Sequence, residues 1–367
     1  MTVFLSGFST AVPGHRYEQS YIRDIVKSQF AHDALAQRLV HRLYSMSGIS
    51  HRHSCIGRTE EGILDPEFFP VGADGTYLSK STGFRNRRYK DAARPLFREA
   101  AEKSLENAGI SNESITHVIT VSCTGFYAPG PEFHLVKDLG LKPETQRFHL
   151  GFMGCFAFFP ALKLASQLVS ANAGACVLIV CLELCSLHIQ FKPDQDVLLS
   201  GCVFADGAGA CIVSGEKPDV AHFELKAQHG HIAPEGESDM AWTIGDSGFD
   251  MVLSSYIPAI IGSNIAAIVD KTLEQATTSR DNIKYWAIHP GGRAILDKAE
   301  QSLGLEPEDL SVSRAVLDAN GNMSSATILF VLKAFLEQKK EGGDVYAMAF
   351  GPGLTIESAL LKLSPDG

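Results

Sequence analysis

The chain has 367 residues, which is room for one large two-lobed unit or two domains of ordinary size. Hydrophobic residues make up 45% and charged residues 20%, a balance that supports a large core and excludes global disorder. The formal net charge of −10 argues against a general nucleic-acid binder, so an anionic substrate needs a local basic patch.

The eight cysteines are Cys55, Cys123, Cys155, Cys176, Cys181, Cys185, Cys202 and Cys211, and no two form a C-x-x-C pair. That usage fits a reducing compartment better than a disulfide framework. The first residues, Met1-Thr2-Val3-Phe4-Leu5-Ser6-Gly7, lack a basic segment and a long apolar core. No stretch reaches the roughly 18–20 apolar residues of a membrane span. The expectation is a soluble, cytoplasmic protein with no membrane or nucleic-acid partner.

In chain order, Val3 to Phe8 reads as a strand ending in the turn Ala11-Val12-Pro13-Gly14. Gln19 to about Met46 has the pattern of one long helix, and residues 47–80 read as loop. A second amphipathic helix runs from Asp91 to Ala108 and stops at Gly109. His117 to Cys123 is a buried β-branched strand, Pro131 to Leu139 a short helix, and Ala161 to Val169 has helical apolar spacing. Val177 to Cys181 and Val203 to Val213 are strand-like.

The pattern then starts again. Val220 to Ala227 and Asp239 to Trp242 read as strands, and Ile257 to Ala276 as a long helix. Tyr285 to Ile288 is a short buried strand, and Ala294 to Ser302 and Ser324 to Lys339 are helical. Val345 to Phe350 and Leu354 to Leu361 are the last strands. Strands alternating with helices in each half predict an α/β protein of two similar lobes, with mainly parallel sheets stacked in layers. The division falls near Gly215-Glu216-Lys217-Pro218, giving lobes of residues 1–215 and 216–367.

Three polar residues sit where these elements meet glycine turns. Cys155, in Gly151-Phe152-Met153-Gly154-Cys155-Phe156-Ala157, precedes a helix. There, unpaired backbone N–H groups and the helix dipole favour thiolate, the nucleophilic form. His289 ends a buried strand and is followed by Pro290-Gly291-Gly292, which turns the chain. Asn322 lies in Asn320-Gly321-Asn322-Met323-Ser324-Ser325, just before an apolar helix. Ligands of open α/β sheets bind outside strand carboxyl ends, where these three can converge. Cys155 would attack a thioester and hold the acyl group; His289 would pair with the thiolate; His289 and Asn322 would donate to an oxyanion or enolate. Taken singly, the cysteine also suits core packing, the histidine a structural role and the asparagine a helix cap.

The runs Gly154-Cys155-Phe156-Ala157, Ala287-Ile288-His289-Pro290-Gly291-Gly292-Arg293-Ala294-Ile295-Leu296-Asp297, Gly321-Asn322-Met323-Ser324-Ser325-Ala326 and Phe350-Gly351-Pro352-Gly353-Leu354-Thr355 closely resemble the signatures of type III polyketide synthases, the chalcone synthase-like family. Their order and approximate separations match too. The resemblance implies a thiolase fold, a homodimer, free acyl-CoA and malonyl-CoA as substrates, no further cofactor, no metal, and a Cys155–His289–Asn322 catalytic triad. It places Phe204 as the gatekeeper between a CoA tunnel and the cavity, and Met251 where the family has a second gatekeeper phenylalanine; Phe249 is the nearest aromatic. It makes Cys123 a pocket-side cysteine and puts Cys185, His188, Trp242 and Ser324 in the substrate pocket, with Trp242 narrowing it. Arg42, with Arg38 nearby, and Gly291, Gly292 and Ala294 become candidates for binding CoA. The departures are Phe158-Phe159-Pro160 where plant enzymes carry two glycines, and Met46 where they carry a lysine at the pantetheine mouth.

These features favour an iterative condensing enzyme whose product is released as a pyrone or resorcinol. A single-round enzyme like ketoacyl-carrier-protein synthase III, a non-catalytic acyl-thioester binder and a cysteine hydrolase stand as alternatives. His51-Arg52-His53-Ser54-Cys55 lacks the second ligand pair of a zinc site, and Gly207-Ala208-Gly209 lacks the third glycine of a dinucleotide loop.

Overall fold

The computed structural model describes residues 1–59, 64–338 and 341–365. The first half runs β1 (Val3–Ala11), β2 (His15–Glu18), α1 (Gln19–Ser28), α2 (Ala34–Ser45), β3 (His51–Ser54), α3 (Thr82–Ala108), β4 (His117–Ser122), α4 (Pro131–Asp138), β5 (Gln146–Gly151), α5 (Phe158–Ala171), β6 (Cys176–Leu184), α6 (Gln195–Val203) and β7 (Asp206–Ser214). The second runs β8 (His222–Ile232), β9 (Met240–Gly245), β10 (Gly248–Leu253), α7 (Ile257–Gln275), β11 (Ile283–Ile288), α8 (Arg293–Leu303), α9 (Ser311–Asn320), α10 (Thr327–Gln338), β12 (Gly343–Gly351) and β13 (Thr355–Ser364).

Nine strands share one ladder in the order β11-β12-β13-β8-β1-β7-β6-β4-β5. The parallel pairings lie towards its ends, β4 with β5 and β6, and β11 with β12. The five pairings between them are antiparallel, so the sheet is mixed, where the alternation of strands and helices predicted mainly parallel pairing. The two halves repeat one scheme. In the first, β4 runs parallel to β6, which is antiparallel to β7, which is antiparallel to β1. In the second, β11, β12, β13 and β8 do the same.

The core explains the layers. Ile119, Val121, Ile179 and Val213 from the first half pack with Ala347, Ala349 and Leu361 from the second around α5 and α10. The opposite face of the first half, with Val118, Val180 and Ile212, is covered by α3 and α4. The opposite face of the second, with Trp286, Met348 and Leu360, is covered by α7 and α8. Helices therefore alternate with sheet through five layers, and α5 and α10, rich in buried apolar residues, form the middle one. Gly207 and Gly209 lie on β7, where a Cβ would come within 2.4 Å of Met323 Sδ and 2.7 Å of Leu329 Cβ, so they serve close packing against this layer.

Several elements differ from the sequence reading. The helix expected from Gln19 to Met46 is two, because the Asp33 carboxylate accepts from the Leu35 and Ala36 N–H groups and starts α2 afresh. The helix expected from Asp91 begins at Thr82, capped by Ser81 on the Phe84 N–H. Helix α6, capped by Asp194, fills a stretch with no assigned element ahead of the strand expected from Val203. Strands β2, β3, β5 and β10 and helix α9 have no counterpart in the sequence reading. Lys339, the expected end of the last helix, lies outside the described residues.

Candidate active site

The carboxyl ends of β4, β6, β11 and β12 and the turns before α5 and α10 surround one cavity of about 40 Å³. Cys155, His289 and Asn322 all line it. The turn that carries Cys155 is tightly specified. Gly154 has φ +93°, and a Cβ there would come within 2.4 Å of Pro352 Cδ. Its N–H donates to Cys123 Sγ at 3.0 Å. Phe152 and Ser324 are non-glycine residues with positive φ, +62° and +47°, on either side of the site. Such backbone costs about 1–3 kcal/mol each and persists only where the surroundings impose it.

Asn322 is held on its backbone and its side chain. Its N–H donates to Val203 O and its carbonyl accepts from Ala205 N–H, each at 2.8 Å, bridging it to the segment around Phe204. Its Oδ1 accepts from the Ser324 N–H at 2.8 Å, which leaves Nδ2 to donate to Gly291 O at 3.1 Å and to approach Cys155 Sγ at 3.9 Å. His289 is 1% exposed, and neither ring nitrogen has a hydrogen-bond partner among the described residues.

The electrostatics differ from the sequence expectation of a stabilised thiolate. Burial pushes the Cys155 thiol up to about 11, and the Ser324 and Asn322 side chains draw it down only partly. Burial also lowers His289 to about 3. The dipole argument weakens because Cys155 precedes Phe158, the first residue of α5, by a turn in which Ala157 N–H already bonds Gly154 O. Both shifts favour the uncharged forms, a neutral thiol and a neutral imidazole.

Sequence reasoning missed Glu183. This wholly buried carboxyl at the end of β6 accepts from Cys123 N–H at 2.9 Å, Thr124 Oγ1 at 2.9 Å and Ser325 Oγ at 2.6 Å. Burial raises it to about 7 despite these donors. It ties the loop after β4 to the turn before α10. Its position inside an apolar strand was the available signal: a lone carboxylate there needs partners.

Cys123, Cys185, Phe204, Met251, Trp242, Ser324 and Gly291 line the same cavity. A second cavity of about 100 Å³ lies beside it, and Cys185, Phe204, Trp242 and Met251 line both, forming the wall between them. Trp242 and Met251 face each other across the β9–β10 hairpin. The Trp242 Nε1–H donates to Cys123 O at 3.1 Å. His188 borders the second cavity with both nitrogens occupied. Nδ1 accepts from Phe249 N–H at 3.1 Å and Nε2 pairs with Thr124 O at 2.7 Å, while the ring stacks on Phe249 with 3.9 Å between centroids. His188 therefore clamps the hairpin rather than offering a free hydrogen bond to a substrate. Arg38, Arg42, Gly292 and Ala294 line neither cavity; both arginines are exposed on α2.

A thiol, an imidazole and a carboxamide meet on one cavity of a layered α/β fold. Residues 3–218 match the N-terminal domain of chalcone and stilbene synthases and residues 224–365 match the C-terminal domain, so the chain belongs to that family, the type III polyketide synthases. It is 31% identical over 375 residues to a probable polyketide synthase 1 of Dictyostelium discoideum, covering 98% of this chain but 11% of that much longer protein. The type III domain of Steely1, a type I/III hybrid from Dictyostelium, superposes with a TM-score of 0.91 at 29% identity over 99% of both chains. PKS-I of the brown alga Ectocarpus siliculosus gives 0.89 at 29% identity, again over 99% of both.

Proposed function

We propose that the chain extends an acyl-CoA starter with malonyl-CoA by repeated decarboxylative condensation, and releases a pyrone- or resorcinol-type product. His289 accepts the Cys155 proton as the sulfur attacks the acyl-CoA carbonyl, and CoA leaves as thiol. Malonyl-CoA then loses CO₂, and the enolate forms beside the Asn322 amide and the His289 ring. Donors fixed where charge develops lower that barrier. The enolate carbon attacks the Cys155 thioester and releases the sulfur. The observation that carries this reading is the convergence of the three side chains on one cavity. Phe204 and Trp242 exclude water from the decarboxylating carboxylate.

Arg42 and Arg38 are the proposed contacts for CoA phosphates, with Gly291, Gly292 and Ala294 along the arm and no cofactor beyond the CoA thioesters. A cytoplasmic homodimer is proposed, with lobes divided at residues 215 and 216; β5 ends the ladder and leaves an edge unpaired among the described residues. No helix among the described residues is long and apolar enough to cross a membrane.

The small catalytic cavity favours a second reading, a single-round condensation. Mass spectrometry of products from a panel of acyl-CoAs with malonyl-CoA separates the two. The iterative reading predicts products two or more extender units longer than the starter; one-unit products throughout contradict it.

A further inference from the structure

The Asn322 carboxamide takes its place from the segment that ends α6. A parallel bridge joins Phe204 to Asn322, through the Asn322 N–H on Val203 O and the Ala205 N–H on Asn322 O. That segment must itself be fixed, because the last carbonyls of a helix have no intrahelical donors. Side chains supply them here. Gly201 O accepts from Arg52 Nη1 at 2.8 Å and from the Tyr44 hydroxyl at 3.0 Å. Cys202 O accepts from Gln19 Nε2 at 2.8 Å, and Phe204 O from Arg52 Nη1 at 2.6 Å. Arg52 therefore grips the end of α6 on both sides of Val203, the residue whose carbonyl holds Asn322.

Arg52 touches the other half of the bridge too. Gly321 has φ +72°, and a Cβ on it would come within 2.9 Å of Arg52 Cγ. The arginine stem thus lies against the turn that carries Asn322, while its head holds the helix end. The side chain is 5% exposed on β3. Its Nε donates to Gln19 Oε1 at 2.9 Å, and the guanidinium carbon stands 5.6 Å from the centre of the Tyr44 ring. Its acceptors among the described residues are one amide oxygen and two carbonyls, none of them a carboxylate. The negative end of the α6 dipole takes the place of a counter-ion. A buried guanidinium held by neutral groups is costly, and packing alone does not require one. We propose that Arg52 is a positioning residue of the condensation step: it fixes the end of α6 against the Gly321–Asn322 turn and so aims Asn322 Nδ2 at the enolate. The inference rests on the condensing-enzyme reading and adds to it a residue that does not line the catalytic cavity. Acyl loading does not use this alignment, because Cys155 sits on a separate turn, which the Gly154 N–H bond to Cys123 Sγ holds.

The test separates the two steps by single turnover in the full chain. The starter is whichever of acetyl-, hexanoyl- and benzoyl-CoA the wild type turns over fastest. Intact mass follows its transfer to the protein, and product formation follows condensation with malonyl-CoA. Arg52→Gln should slow condensation by about 10²-fold, as a displacement of about 1 Å does, and loading by less than about threefold. Added to Asn322→Ala, it should slow condensation by less than about threefold further, because the group it aims is already gone. Equal losses in both steps overturn the proposal, as does a double variant slowed by the full product of the single losses. Near-UV circular dichroism checks that Arg52→Gln folds. If it does not, Arg52→Lys takes its place. Lysine keeps the charge at the end of α6 without the planar fork, so its condensation should fall by about tenfold with loading unchanged. Wild-type condensation in that variant then overturns the proposal. A wild type that takes no acyl group from any of the three starters sinks the condensing-enzyme reading itself. A wild type that loads and condenses beside an equally active Arg52→Gln sinks only the role of Arg52.

Discussion

Cys123, Cys155 and Cys185 line one cavity, and their surroundings divide their roles. Cys123 accepts the Gly154 N–H and so positions the turn, while Cys155 has the Asn322 amide beside its sulfur. In the proposed mechanism, replacing Asn322 with Ala removes a donor from the developing enolate. Condensation should fall by about 10²–10³ while acyl loading on Cys155 persists, as single-turnover assays of the two steps would show. Equal losses in both steps would contradict that role. Glu183 supplies a pH dependence. Its pKa is raised from 4.5 to about 7 in the folded state, so its stabilising contribution is complete below pH 4.5 and is lost as pH rises through 7. The loss amounts to about 3 kcal/mol over that interval. Urea unfolding of wild type and Glu183→Gln at pH 4.5 and 7 should show the wild type losing that much more stability than the variant; parallel pH profiles would refute it. Cys155 and Asn322 were legible from their glycine settings, but the partners of Glu183 and His188 were not. Glu183 drew no reading, and His188 stayed open between a pocket hydrogen bonder and a structural histidine because Thr124 and Phe249, which occupy its ring, lie about sixty residues away on either side.

At the level of elements, the turn before α5 depends on close approach to Gly351-Pro352-Gly353. A Cβ on Gly154 meets Pro352, and one on Gly351 lies 2.5 Å from Phe156 Cδ1. Gly154→Ala combines that clash with a left-handed backbone at φ +93°. It should cost about 1–3 kcal/mol in urea unfolding and slow acyl loading. Wild-type stability and loading would show that the turn is not constrained as described. The elements that read clearly were those with unmixed signals. The runs in β4 and β6 are rich in buried β-branched residues, β11 ends in the buried Trp286-Ala287-Ile288, and α7 carries apolar residues at helical spacing. Helix α6 is short, and its apolar run Val197-Leu198-Leu199 lacks a clear helical period; the signal for it is the Asp194 cap. Helix α9 is short and half polar, and β10 reads as a motif rather than a strand until β9 is found opposite it.

At the scale of the molecule, the repeated pairing scheme accounts for the site. Cys155 and Asn322 precede equivalent middle-layer helices, α5 and α10, while Cys123 and His289 follow equivalent strands, β4 and β11. The site lies where the halves meet, so the three residues could be picked out of the sequence by their glycine settings although they are far apart in it. The cavities could not, because their volumes depend on side chains such as Trp242 that periodicity does not place. The free edge of β5, with Phe133 38% exposed beside it on α4, predicts a dimer in solution. Light scattering should give twice the chain mass, and a monomer at micromolar concentration would contradict it. The account as a whole turns on which sulfur carries the acyl group. Peptide mapping after incubation with an acyl-CoA should find the adduct on the peptide containing Cys155 and lose it in Cys155→Ala. An adduct on Cys123 or Cys185, or one that survives the substitution, would contradict the site described.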